Sequence, residues 1–166
     1  MLRLALAASA VAMAITQPAQ AHDIVRHAAA NFPISNSVVV PAGTDLVFLS
    51  GVLADAADPK APAGSVERMG DTATQARSVL AKIRKELEAA GVTMADVVKM
   101  NVFLVGDPRK GGAMDFDGLM QAYLDVYGPR TPENRLPART TVQVAGLPVP
   151  GALVEIEVVA ARHAAH

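Results

Sequence analysis

Residues 138–144 read Ala-Arg-Thr-Thr-Val-Gln-Val, and residues 153–161 read Leu-Val-Glu-Ile-Glu-Val-Val-Ala-Ala. Both alternate with the period of two that sends successive side chains to opposite faces of a sheet. In the first stretch Thr140, Val142 and Val144 share one face, and Arg139, Thr141 and Gln143 share the other. In the second, Val154, Ile156 and Val158 oppose Glu155 and Glu157. An apolar sheet face needs a cover. The alternation therefore predicts two strands with helices over their apolar sides, and it places Arg139 and the two carboxylates together on the uncovered face.

Working back from these strands, the helices that could cover them are legible. Ala73, Ala76, Leu80, Ile83, Leu87 and Ala90 recur at three- and four-residue spacing, with Asp71 or Thr72 as cap and Gly91 as a left-handed stop. Asp115 to Tyr127 repeats the pattern through Phe116, Leu119, Met120, Tyr123, Leu124 and Tyr127, and Gly128 ends it. Between the helices, Val97 to Val105 reads as a strand. It is followed by Gly106-Asp-Pro-Arg-Lys-Gly-Gly112, a turn-rich loop unsuited to regular structure. Ser37 to Val40 and Leu46 to Leu49 read as two strands of a hairpin about Pro41-Ala-Gly43. His22 to Asn31 reads as a polar lead-in, and Asp55 to Gly64 and Pro129 to Pro137 as irregular connections. The expected fold is α+β, in the order β-β-α-β-α-β-β, with both helices on one face of a single mixed sheet.

Composition narrows the chemistry. The chain has 166 residues, with 15 Lys and Arg against 16 Asp and Glu and no cysteine. A net charge of -1 does not suit a protein that holds nucleic acid by counterion release. Without cysteine there is no disulfide scaffold, thiol nucleophile, thiolate zinc site or iron–sulfur cluster. The histidines, His22, His27, His163 and His166, lie near the termini, so no Ser-His-Asp triad is expected inside the domain and no metal site is assigned. The N-terminus carries Arg3, then the apolar run Leu4 to Ile15 with only Ser9 polar, a break at Pro18, and Ala19-Gln-Ala21. That is the pattern of an export signal cleaved before His22. As a helix the run would reach only about 18 Å, short of a ~30 Å hydrocarbon core. Residues 1–21 are thus expected to be removed and 22–166 to form one exported domain. A bacterial periplasm is the expected location, or the cytoplasm if the segment does not work as a signal, with no lasting membrane insertion.

Arg139 and Glu155 are the residues that suggest chemistry. A guanidinium forms a rigid fork that binds a planar carboxylate through two hydrogen bonds. A glutamate on the same sheet could orient or activate a water, which together would suit hydrolysis of a small carboxylate. Spacing alone equally allows a solvated Arg–Glu cross-strand pair, or a sheet face that meets another subunit.

Several segments carry a resemblance. Leu49-Ser-Gly51, Gln75-Ala-Arg77, Glu88-Ala-Ala-Gly91, Val97-Val-Lys-Met-Asn-Val-Phe103, Leu136-Pro-Ala-Arg-Thr140, Val144-Ala-Gly-Leu-Pro148 and Val154-Glu-Ile-Glu157 resemble, in this order, the RidA (YjgF) family. The resemblance runs from about Ile34 to Arg162. It implies a chorismate-mutase-like fold, a homotrimer with clefts between subunits and no cofactor. It also implies hydrolysis of reactive enamines and imines, of the 2-iminobutanoate and 2-iminopropanoate kind, to 2-keto acids and ammonia. By the same resemblance Arg139 clamps the substrate carboxylate, Glu155 lies near the attacking water, and Ser50, Gly51 and Thr141 line the cleft. Three positions depart from the family pattern: Ile34 replaces a tyrosine, Met120 an asparagine and Thr141 a cysteine, and the 106–112 loop is longer and richer in glycine. These departures keep a second reading open, a non-catalytic trimer of the same fold that binds small carboxylates or acts as a chaperone.

Overall fold

The computed structural model describes residues 23–131 and 135–163; residues 1–21, expected from the sequence to be an export signal, lie outside them. Six strands form one mixed sheet: β1 (Val25–Ala28), β2 (Ser35–Val39), β3 (Thr44–Leu53), β4 (Val97–Val105), β5 (Ala138–Val144) and β6 (Val154–His163). Their spatial order is β1-β2-β5-β4-β6-β3. β4 and β5 run parallel, joined through a helix as a parallel pair requires, while β6 lies antiparallel between β4 and β3. The helices are α1 (Val66–Met69), α2 (Thr72–Ala89) and α3 (Phe116–Tyr127). None among the described residues is long and apolar enough to cross a membrane.

Each long helix starts where its sequence provides a cap. The Asp71 carboxylate accepts from the Thr74 amide at 2.7 Å, and that of Asp115 from Gly118 at 3.1 Å, satisfying N–H groups that the helix itself leaves open. α2 ends at Gly91, whose φ of 74° is left-handed. Ala76, Val79, Leu80, Ile83 and Leu87 of α2 and Leu119, Ala122, Tyr123 and Tyr127 of α3 are buried. They pack on Met100, Val102 and Leu104 of β4 and Val154, Ile156 and Val158 of β6. Both main helices therefore cover one face of the sheet, as the periodicity predicts.

Two buried side chains fasten elements that are distant in sequence. Gln75 is fully buried; its amide nitrogen donates to the carbonyls of Gly70 and Gly151, and its carbonyl accepts from the Leu153 amide at 2.8 Å. It ties the start of α2 to the entry of β6. The Tyr127 hydroxyl donates to the carbonyl of Met94 at 2.8 Å.

Three expectations about the elements need correction. The lead-in His22 to Asn31 contains β1, which pairs antiparallel with β2. It is held by Arg26, whose guanidinium donates to the carbonyls of Ala95 and Val97. The first two apolar runs do not form a hairpin: β2 pairs with β1 and, at Ser35, with β5, whereas β3 pairs with β6. Local alternation identifies strands but does not choose partners, and Pro41-Ala-Gly43 serves as a crossing between sheet edges. The 106–112 loop holds a turn of 3-10 helix at Pro108–Lys110. It is closed by an Asp107–Ala113 bridge and by the buried Asp107 carboxylate, which accepts from the Arg109 guanidinium at 2.8 Å.

Candidate active site

Register decides which side chains share a face. Arg139 lies beside Met100 of β4, which in turn lies beside Val158 of β6, and both of these face the helices. Glu155 lies beside Phe103 and Glu157 beside Asn101, in the alternate rows. Arg139 and Thr141 are therefore on the helix-covered side, while Glu155 and Glu157 are on the uncovered side. The expectation that Arg139 and the carboxylates share the uncovered face is overturned, as is a solvated cross-strand Arg–Glu pair: β4 separates the two strands. The reason lies in β5. Thr140 and Val142 look outward, Val142 being 42% exposed, and the core side near this strand is furnished with aromatic rings that accept a cation.

Those rings come mostly from α3. Phe116, Met120 and Tyr123 stand at i, i+4 and i+7, one stripe of the helix, and that stripe faces Arg139. The guanidinium carbon is 4.2 Å from the Tyr123 ring centroid, 5.2 Å from that of Phe32 and 5.7 Å from that of Phe116. These are cation–π distances. Both terminal nitrogens, Nη1 and Nη2, lie 3.4 Å from the thioether sulfur of Met120. Burial lowers the Arg139 pKa below the usual guanidinium range, and Tyr123 acts in the opposite direction. Tyr123 itself is held neutral by burial, and its hydroxyl donates to the carbonyl of Pro33 at 2.7 Å. Thr141 follows Arg139 on the same face, with its hydroxyl oxygen buried and unpartnered. Arg139 is thus a half-desolvated cation whose only side-chain acceptor among the described residues is a sulfur, a weak acceptor. A carboxylate would be a far better partner.

The second group gathers on β3 and β6. Leu49 pairs with Val158 and Val52 with Ile156, so Ser50 and Gly51 together oppose Glu157 alone. This is a β-bulge, which bends the strand and re-aims its backbone. Glycine here leaves the Glu155 carboxylate its place, since a Cβ at Gly51 would strike that carboxylate and push it aside. Glu157 accepts from the Asn101 side-chain amide at 2.8 Å. Ser50 and Gly51 also border an open groove of about 740 Å³ between the β3 edge and α2, which Lys82, Glu86 and Val149 help to line. None of the five ion pairs among the described residues includes Arg139 or Glu155.

The structure therefore gathers the expected site residues into two separate groups. Ser50, Gly51 and Glu155 come together, and Arg139 comes together with Thr141 and Met120, but the two groups do not meet within one chain. The aromatic cage of Phe32, Phe116 and Tyr123 escapes sequence reading as a site, since all three rings look like ordinary core. The signal available is the stripe that Phe116 and Tyr123 form with Met120.

A mixed sheet with two helices on one face, a Ser-Gly bulge against a glutamate and a half-buried strand arginine define a recognisable class. The Endoribonuclease L-PSP family model matches residues 26–162, and the chain belongs to this family, the RidA/YjgF family. It is 34% identical over 128 residues to the 3-aminoacrylate deaminase RutC of Acinetobacter baylyi, covering 77% of this chain and 88% of that one. It is also 34% identical over 124 residues to a RutC family protein of Pyrococcus horikoshii, covering 75% and 84%. Among solved structures it resembles the Rid family protein YyfB of Yersinia pestis (TM-score 0.57, 26% identity, 77% of this chain and 86% of that one). A YjgF family protein of Neisseria meningitidis shares the fold (TM-score 0.52, 24% identity, 87% and 98%).

Proposed function

We propose that the protein is a hydrolytic deaminase of enamine and imine derivatives of small carboxylates, releasing a 2-keto acid and ammonia. The observation that carries this reading is the desolvated Arg139 guanidinium, which lacks an anionic partner among the described residues. The deaminase relative of the family supports it. The near-neutral charge weighs against RNA as substrate.

The chemistry follows from the groups available. Arg139 binds the substrate carboxylate through two parallel N–H donors and stays charged throughout. An enamine first takes a proton from water on carbon and returns one from its nitrogen, becoming the tautomeric imine. Water, held by the Glu155 carboxylate, adds its oxygen to the imine carbon; the C=N π pair moves to nitrogen, and one water proton passes by way of Glu155 to that nitrogen. In the tetrahedral carbinolamine the remaining hydroxyl proton then passes, again by way of Glu155, to the nitrogen, and the C–N bond breaks to release ammonia as the oxygen's electron pair forms the carbonyl. Because an imine carbon is already electrophilic, positioning of the water supplies much of the acceleration. The protein's own groups suffice, without a cofactor.

Since Arg139 and Glu155 lie on opposite faces of one chain, we further propose that the site is completed between subunits. The Arg139 half of one copy faces the Ser50–Gly51–Glu155 half of the next, in a homotrimer with three clefts. Leu46, Phe48 and Val142, at 47%, 72% and 42% exposure, give the uncovered face the apolar surface such contacts need. We also propose that residues 1–21 direct export and that 22–166 act in the periplasm.

The test is release of keto acid and ammonia from imines generated in place by an amino-acid oxidase. Wild type is expected to speed the release, and Arg139→Ala to abolish the gain; equal performance of the two overturns the catalytic reading. The sulfur contact at Arg139 favours one second reading, a carboxylate binder without turnover. Keto-acid binding in calorimetry with no imine hydrolysis would establish it.

A further inference from the structure

The groups around Arg139 specify more than a carboxylate, and the following rests on the reading just proposed. The edge formed by Nη1 and Nη2 is where a bidentate carboxylate would dock end-on, and the Met120 sulfur stands there, 3.4 Å from both nitrogens. A thioether accepts hydrogen bonds weakly, and methionine is unbranched with three rotatable bonds, so an incoming carboxylate can displace it at little cost. The displaced sulfur and methyl then need an apolar neighbour. Beside them, Phe32 and Phe116 stack with ring centroids 6.3 Å apart and an interplanar angle of 17°, and Phe32 remains 38% exposed. The guanidinium is thus flanked by an apolar wall that a small ligand would leave wet and a large one would cover.

We propose that Met120, backed by Phe32 and Phe116, makes the Arg139 site selective for 2-imino and 2-keto acids bearing a bulky apolar side chain. Branched aliphatic, thioether or aromatic groups are favoured over the methyl-sized groups that alanine and serine give. The α-carboxylate takes the place of the sulfur at the guanidinium, and the ligand's side chain packs among the moved Met120 and the two rings.

Calorimetry of the full chain with pyruvate, 4-methyl-2-oxopentanoate and phenylpyruvate tests this, alongside oxidase-generated imines from alanine, leucine and phenylalanine. The leucine-derived ligands are expected to bind, and their imine to react in kcat/KM, at least about tenfold better than those from alanine, since each methylene in an apolar site is worth roughly tenfold or more. Met120→Asn should reduce that ratio towards one, chiefly through weaker binding of the large keto acid. Met120→Leu, which keeps the apolar volume, should retain the ratio and so controls for folding. A wild-type ratio near one, or a ratio that survives Met120→Asn, overturns the inference while imine turnover keeps the deaminase reading. Selective keto-acid binding without turnover overturns the deaminase reading and keeps the selectivity. Neither binding nor turnover overturns both.

Discussion

Gly51 illustrates at residue scale how backbone and chemistry meet. Its φ is not positive, so an alanine is conformationally acceptable there, yet the added methyl would occupy the space of the Glu155 carboxylate. The carboxylate is the far end of a flexible side chain and can swing away cheaply. Gly51→Ala is therefore expected to melt within a few degrees of wild type while losing most of its imine hydrolysis. A large fall in Tm with activity retained would show that Gly51 serves the fold rather than the Glu155 position. Arg139 is the complementary case. The Pro-Ala-Arg-Thr segment singles it out as a candidate, but its face is not legible there. Assigning faces by polarity assumes one dry side and one wet side, and in β5 the outward row carries Val142 while the inward row holds a cation among aromatic rings.

At the scale of elements, the long helices and the strands from β4 onward follow from periodicity and caps, because each is stabilised by its own pattern and the core beneath it. Strand pairing is different. β2 and β3 are separated by only Val40–Gly43, yet they do not pair with each other: β2 takes β1 before it and, at Ser35, β5 far later, while β3 takes β6, and no local pattern encodes that choice. Gln75 shows the same limit: as a polar residue in the first turns of α2 it gives no sign that it will be fully buried. Gln75→Ala would leave the Leu153 amide and the Gly70 and Gly151 carbonyls short of a partner. It is expected to cost about 2–4 kcal/mol in denaturant unfolding, and a cost under about 0.5 kcal/mol would contradict the fastening role. The 106–112 loop carries a pH signature. Hydrogen bonds and charge from Arg109 hold the Asp107 carboxyl below its ordinary 3.8. A carboxyl with a depressed folded pKa contributes stability that is present above the unfolded value and lost as pH falls through the folded one. Asp107→Asn is thus expected to lower Tm at pH 7, and to lose less Tm than wild type between pH 5 and pH 3; parallel acid curves would exclude this contribution.

At the scale of the whole molecule, the sheet has one covered face and one left bare, and the bare face carries Phe48 at 72% exposure. Wild type is expected to run as a trimer in light scattering. Phe48→Glu would place three charges in the contacts and is expected to give a lower mass, whereas a monomeric wild type would remove the shared cleft altogether. The central claim is that one chain supplies Arg139 and its neighbour supplies Glu155. Mixing two inactive variants, Arg139→Ala and Glu155→Gln, by co-refolding tests it directly. In a random mixture of cyclic trimers about a quarter of the interfaces join an intact Arg139 to an intact Glu155. The mixture is expected to recover roughly that share of wild-type imine hydrolysis, and a mixture as inactive as its parents would contradict a site built between subunits from these two residues.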